Sequence, residues 1–191
     1  ADHEFSGKEG EIIVIHTQKK ILAKKLILTG LGKKKEFNLE TVRRISSKTI
    51  SRAKNLKSKT ITVLLPDEEG DISHKKIAQA YTEGMILGLW SFSGILSKKT
   101  DDSDKTDFEI GTVTLMTEHT KSLSKIEEGL HRGQKIAEAC NLARELAMLP
   151  SNILTPTAFA KKATEVAKKT PGIKATILGA AEIKKLKMGS L

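Results

Sequence analysis

Short β-branched runs alternate with longer amphipathic stretches along this chain, and that alternation restricts it to an α/β architecture with a mixed or parallel sheet flanked by helices. Glu11–His16 (EIIVIH) and Lys25–Thr29 (KLILT) read as strands. Asn38 or Glu40 opens a helix running to about Leu56. Its positions Val42, Ile45, Ala53 and Leu56 turn inward, and Arg43, Arg44, Lys48 and Lys54 turn to water. Thr60–Leu65 (TITVLL) reads as a nearly all-apolar strand, as in a sheet covered on both faces, with Pro66–Asp71 as its turn. Ser73 to about Trp90 is the next helix, carrying Ile77, Tyr81, Met85 and Leu89 near one stripe. Ser97–Asp107 is charged, lacks a core pattern and reads as a surface loop. Ile110–Met116 is a further strand.

Beyond it, Ser124-Lys125-Ile126-Glu127 fits a capping box opening a helix to about Leu149. Its apolar positions are Ile126, Leu130, Ala137, Cys140 and Leu146, and Pro150 ends it. Thr155 then serves as N-cap and Pro156 as first residue of a second helix, because proline there lacks only an amide hydrogen that has no helical partner. Ile173–Leu178 is expected as a strand and Ala180–Lys187 as a short helix. The expected domains are therefore 1–150 and 151–191, divided near Pro150.

Thirty-three Lys and Arg against 23 Asp and Glu give a net charge of +10, which raises nucleic acid as a partner. The basic residues are mostly lysines in scattered pairs, and aromatic residues for base stacking are only 4 %, so a solvated lysine-rich surface is favoured. No run approaches the roughly 18 apolar residues of a membrane span. The single Cys140 excludes an internal disulfide or a cysteine zinc cluster, fits a reduced cytosolic setting and reads as a small packed thiol.

Catalytic and binding motifs are mostly absent. Gly30-Leu31-Gly32 follows a strand, but residue 35, where a dinucleotide loop needs glycine, is Lys35, so a tight turn is expected. Asp101, Asp102, Asp104 and Asp107 suggest a calcium loop. Counted from Asp102, however, its glycine and final acid fall on Asp107 and Val113. His3, His16, His74, His119 and His131 form no HExxH and no close pair with zinc-like spacing. Glu127, Glu128, Glu138 and Glu145 lie on a helix, where i,i+4 pairs with Arg132 and Lys135 account for them.

IAEACNLARELAMLPSNILTPTAFA carries Asn141, Ala143, Arg144, Pro150, Asn152, Leu154, Thr155 and Pro156 in order, and the chain closes with TILGAAEIKKLKMGSL. This stretch resembles the passage from the N-terminal into the catalytic domain of the leucyl aminopeptidase family, the two-metal cytosol aminopeptidases. FSGKEGEIIVI, KLILTGLGKKKEF, ETVRRISSKTISRAKNLKSKTITVLLP and AYTEGMILGLWSF extend the likeness over nearly the whole chain. The resemblance implies a macro-like α/β domain followed by the opening helices and strand of an α/β aminopeptidase catalytic domain. It implies a cytosolic metalloaminopeptidase, a homohexamer using two zinc or manganese ions to release N-terminal residues from peptides. Two such metals activate a bridging water and polarise the scissile carbonyl.

The family's lysine, aspartate and glutamate ligands lie in motifs of the type VGKGVTFDSGG and NTDAEGR, and neither occurs here. No catalytic, cofactor-binding or metal residue is therefore assigned to this chain. It is expected to be an incomplete, inactive piece that serves assembly. DNA binding, known in some bacterial members, is compatible with the charge. The alternative is a basic α/β module that binds nucleic acid or a nucleotide.

Overall fold

The computed structural model describes residues 5–92 and 108–189. The charged stretch 97–107, with its aspartates, lies outside them. The element order is β1 (Ile12–His16), β2 (Lys25–Thr29), α1 (Leu39–Asn55), β3 (Thr60–Leu64), α2 (His74–Leu89), β4 (Thr112–Met116), α3 (Leu123–Met148), α4 (Pro156–Lys169) and α5 (Ala180–Lys185). The fold is mixed α/β, with small sheets flanked by helices. β1 and β2 form an antiparallel ladder from Ile12↔Thr29 to His16↔Lys25. β3 and β4 pair in parallel, from Thr60↔Thr112 to Leu64↔Met116.

The chain divides between Arg144 and Glu145 into two units. In the first, α1 begins where Asn38 Oδ1 accepts from the amides of Glu40 and Thr41, both at 2.9 Å, satisfying two donors that have no helical partner. Its inward stripe, Val42, Ile45, Ile50 and Ala53, is buried. Val42 and Ile50 join Ile77, Ala78, Tyr81 and Met85 of α2, with Leu65 and Ile126, in one core cluster. Each large aliphatic side chain buried there contributes roughly 1.5–3 kcal/mol.

Ile61, Val63, Val113 and Leu115 lay one face of the β3–β4 pair on this core. The expectation of a sheet covered on both faces fails here: the alternate residues Leu64 and Met116 are about half exposed among the described residues. The threonines explain why. Thr60, Thr62, Thr112 and Thr114 make TITVL and TVTLM alternating strands with one wet face.

Close helix packing depends on small residues. A Cβ on Gly84 of α2 would collide with Ser46 Oγ and Arg43 O of α1. On α3, a Cβ at Gly133 would fall 2.5 Å from Gln79 O of α2, and one at Gly129 would strike Lys75 O. With Ala137, these glycines form the buried stripe of α3.

Three local expectations are corrected. Ser124 is not an N-cap: a 3-10 turn at Thr120–Ser122 feeds the chain into α3 at Leu123, which leaves Ser124 inside the helix. Cys140 is exposed rather than packed, because the buried stripe of α3 ends at Ala137. The i,i+4 pairs with Arg132 and Lys135 do not form among the described residues. Glu128 pairs with Lys75 of α2, Glu127 faces His131 at 3.8 Å and Glu138 accepts from Gln134.

In the second unit, Thr155 Oγ1 accepts from the Ala158 amide at 3.3 Å and Pro156 is the first residue of α4. The expected strand Ile173–Leu178 is not formed. A strand needs a neighbour to take its amides and carbonyls, and none lies beside this segment among the described residues. Neither α4 nor α5 has a buried residue.

Candidate functional site

β3 and β4 run parallel, so both carboxyl ends open at the same edge. The crevice outside such ends is where open α/β sheets place ligands. The turn after β3 leads into α2 and the turn after β4 into α3. A cleft of about 510 Å³ here is lined by Asp67, Glu68, His74, Glu118, His119 and Lys121, among others.

His74 is the first residue of α2 and is 5 % exposed. Its backbone amide donates to Glu68 Oε1 at 2.8 Å. Glu68 thereby does the capping that Ser73, in the N-cap position, does not do with its own side chain. A carboxylate is favoured there by the amide dipoles of the helix start. The same amide bond is the main reason that the Glu68 carboxyl is held below its usual range, with further help from the His74 ring and Lys125. Glu68 Oε1 also lies 2.9 Å from His74 Nδ1. Neither ring nitrogen of His74, both buried, has a partner in hydrogen-bond geometry, and this Glu68 oxygen is the polar atom poised beside Nδ1.

The exposed His119, from the turn after β4, places Nε2 2.9 Å from Asp67 Oδ1. The His74 and His119 ring centroids are 4.9 Å apart, with the planes inclined by 46°. One donor atom from each of Asp67, His74 and His119 lies within 4.8 Å of the others. Among the described residues this is the only such grouping of His, Cys, Asp and Glu.

The histidines show no HExxH and no close pair with zinc-like spacing along the sequence, and the structure brings His74 and His119 together with Asp67. Asp67 and His119 are 52 positions apart. Only the parallel pairing of β3 with β4 makes them neighbours, and no local motif reports that pairing.

Other singled-out residues among the described ones take no part. Gly30 exchanges backbone bonds with Gly10 and Glu11 at 2.9 and 2.8 Å, and a Cβ on it would strike Lys8 O. Gly32 follows with φ +79°. This geometry closes the end of the β1–β2 ladder. Arg144 stacks over the Trp90 ring at 5.7 Å, and its Nη1 donates to Leu87 O at 3.4 Å.

Comparison with known proteins finds two family profiles in order along the chain. The one described as the cytosol aminopeptidase family, N-terminal domain, matches residues 1–99. The one described as the catalytic domain of the same family matches residues 141–191. A probable cytosol aminopeptidase of Alkaliphilus metalliredigens is 34 % identical over 186 residues, covering 97 % of this chain and 36 % of its own length. One from Aquifex aeolicus is 34 % identical over 187 residues, covering 98 % and 35 %. The chain thus spans about 36 % of the length of the curated relatives it matches.

Among solved structures, a tomato leucine aminopeptidase mutant superposes with a TM-score of 0.77 at 23 % identity, over 96 % of this chain and 34 % of that one. The bottromycin maturation enzyme BotP in complex with Mn gives 0.73 at 21 % identity, over 95 % and 35 %. At these identities the structural likeness shows the fold alone, that of the matched third of these chains.

Proposed function

The chain belongs to the cytosol aminopeptidase family, and on that premise we propose that it comes from a two-metal aminopeptidase releasing N-terminal residues from peptides. In this reading residues 1–150 are the N-terminal macro-like domain with its linker helix, and residues 151–191 open the catalytic domain. The observation that carries it is the order of the two family matches, N-terminal domain at 1–99 and catalytic domain at 141–191.

The parent protein would be a cytoplasmic homohexamer with two zinc or manganese ions. The residues present do not fit that centre. Within 141–191 no group of His, Cys, Asp and Glu gathers among the described residues, and the grouping that does occur, Asp67, His74 and His119, lies outside the catalytic-domain match. No step of peptide hydrolysis is therefore assigned to a residue of this chain.

The role left to it is packing and assembly. Phe159, Ile173, Ile177, Leu186 and Met188 are exposed apolar side chains of the second unit. Large apolar side chains left exposed in this number suit packing against further protein, and we assign that packing to the remainder of the catalytic domain. The intact mass of the protein purified from its source tests this reading. A mass well above 20.9 kDa, with the two ligand motifs in the added sequence, is expected. A source protein of 20.9 kDa would overturn it.

A second reading is favoured by the turn between β1 and β2, where Lys19, Lys20 and Lys24 are all exposed. These lysines would bind a polyanion such as duplex DNA. Binding at low salt that collapses at moderate salt is the expected signature, and no binding at low salt would remove this reading.

A further inference from the structure

We propose that Asp67, His74 and His119 bind one divalent transition-metal ion of the zinc class, at a site in the N-terminal part of the chain. The donor set is two imidazole nitrogens and one carboxylate oxygen, a combination that suits zinc and its neighbours and leaves an open coordination position. Magnesium and calcium prefer all-oxygen sites.

The buried imidazole is the observation that points to a ligand. His74 is 5 % exposed, lines the cleft and has no hydrogen-bond partner on either ring nitrogen. An unpaired buried polar atom costs about 1–3 kcal/mol, and Nε2 is such an atom, whereas Nδ1 has the Glu68 carboxylate beside it. A metal on Nε2, with the Nδ1 hydrogen turned to Glu68, satisfies both. Glu68 Oε1 already lies 2.9 Å from Nδ1, and a carboxylate behind a ligating histidine is the usual means of fixing its tautomer and ring orientation.

The remaining geometry requires little change. Donor atoms within 4.8 Å of one another must close to about 3.4 Å around a tetrahedral zinc with bonds of roughly 2.1 Å. His74 is held by the core, whereas Asp67 and His119 are exposed residues on the two turns and can rotate inward. The surroundings favour a cation: Asp67, Glu68 and Glu118 line the cleft against Lys121. A bound ion would pin the turn after β3, the start of α2 and the turn after β4 to one another.

The test uses the tag-free 191-residue chain, stripped with a chelator and dialysed against zinc, alongside His119→Ala, Asp67→Asn, Glu68→Gln and the control His131→Ala. Bound zinc is counted by elemental mass spectrometry, and affinity is read by competition with a chromophoric chelator. His119 and Asp67 are exposed, so their loss leaves the core intact, which circular dichroism verifies. One zinc per chain is expected in the native chain and in His131→Ala. Glu68→Gln should weaken it about 10–100-fold, as removal of an outer-shell partner does, and loss of a direct ligand should weaken it more. No stoichiometric zinc in the native chain, or equal affinity in His119→Ala and Asp67→Asn, would overturn the proposal.

Discussion

Arg43 Nε donates to Glu83 Oε2 across the packed faces of α1 and α2, and Glu83 is 4 % exposed. Gln79 Nε2 binds the other carboxylate oxygen at 2.7 Å. Removing Arg43 leaves a buried anion with one weak partner. Arg43→Ala is expected to cost about 2 kcal/mol, below the full value for a buried pair because the Arg43 side chain is partly exposed. Replacing both partners, as Arg43→Met with Glu83→Leu, should recover most of that loss. Urea unfolding of the native chain and the two variants measures it.

Gly84 has no space for a methyl group, since a Cβ would meet both Ser46 Oγ and the Arg43 carbonyl. The Arg43 carbonyl is backbone and cannot move without shifting α1. Gly84→Ala is expected to lose about 1–3 kcal/mol despite alanine's better helix propensity. The check is a lower urea midpoint with an unchanged slope.

Tyr81 is the only tyrosine, and burial pushes its hydroxyl up to about 12. A raised phenol value means that the native state resists ionisation. The associated stability is present below the ordinary value of 10 and is lost as pH rises through about 12. An ultraviolet titration should show no tyrosinate around pH 10 in the folded chain, and ordinary ionisation in urea. Equal titration in both states would contradict the packing of Tyr81 in the core.

Glu68 carries the opposite sign. Its folded value lies below the ordinary 4.5, chiefly through the His74 amide. Its contribution is therefore present above pH 4.5 and is lost as pH falls through the lowered value. The native chain should exceed Glu68→Gln in urea midpoint at neutral pH, and the gap should close in acid. A gap that is the same at both pH values would rule out the carboxylate cap.

Elements whose signals are local were readable in advance. Asn38 and Thr155 cap α1 and α4 with their own side chains, because N-cap chemistry depends on residues within three positions. Ser124 offered the same local signal and lost to a 3-10 turn that begins with Thr120. Cys140 was misplaced because periodicity identifies a helix face but not how far a neighbour covers it. Ile173–Leu178 has strand composition, yet strand formation depends on a pairing partner elsewhere in the chain. The His74–His119 cluster was invisible for a related reason: its members meet only through the β3–β4 register. Gly129 and Gly133, which set the approach of α3 to α2, are too small to enter a hydrophobic pattern.

On the proposed function, this chain is the non-catalytic opening of a metal-dependent aminopeptidase. Hydrolysis of a leucyl chromogenic substrate tests it most directly, with manganese or zinc added to the 191-residue chain and, in parallel, to the protein purified from its source. Metal-dependent turnover is expected from the source protein and none from the 191-residue chain at any concentration. Turnover by the purified chain alone, proportional to its concentration and abolished by a chelator, would contradict the assignment of the chemistry to residues outside it.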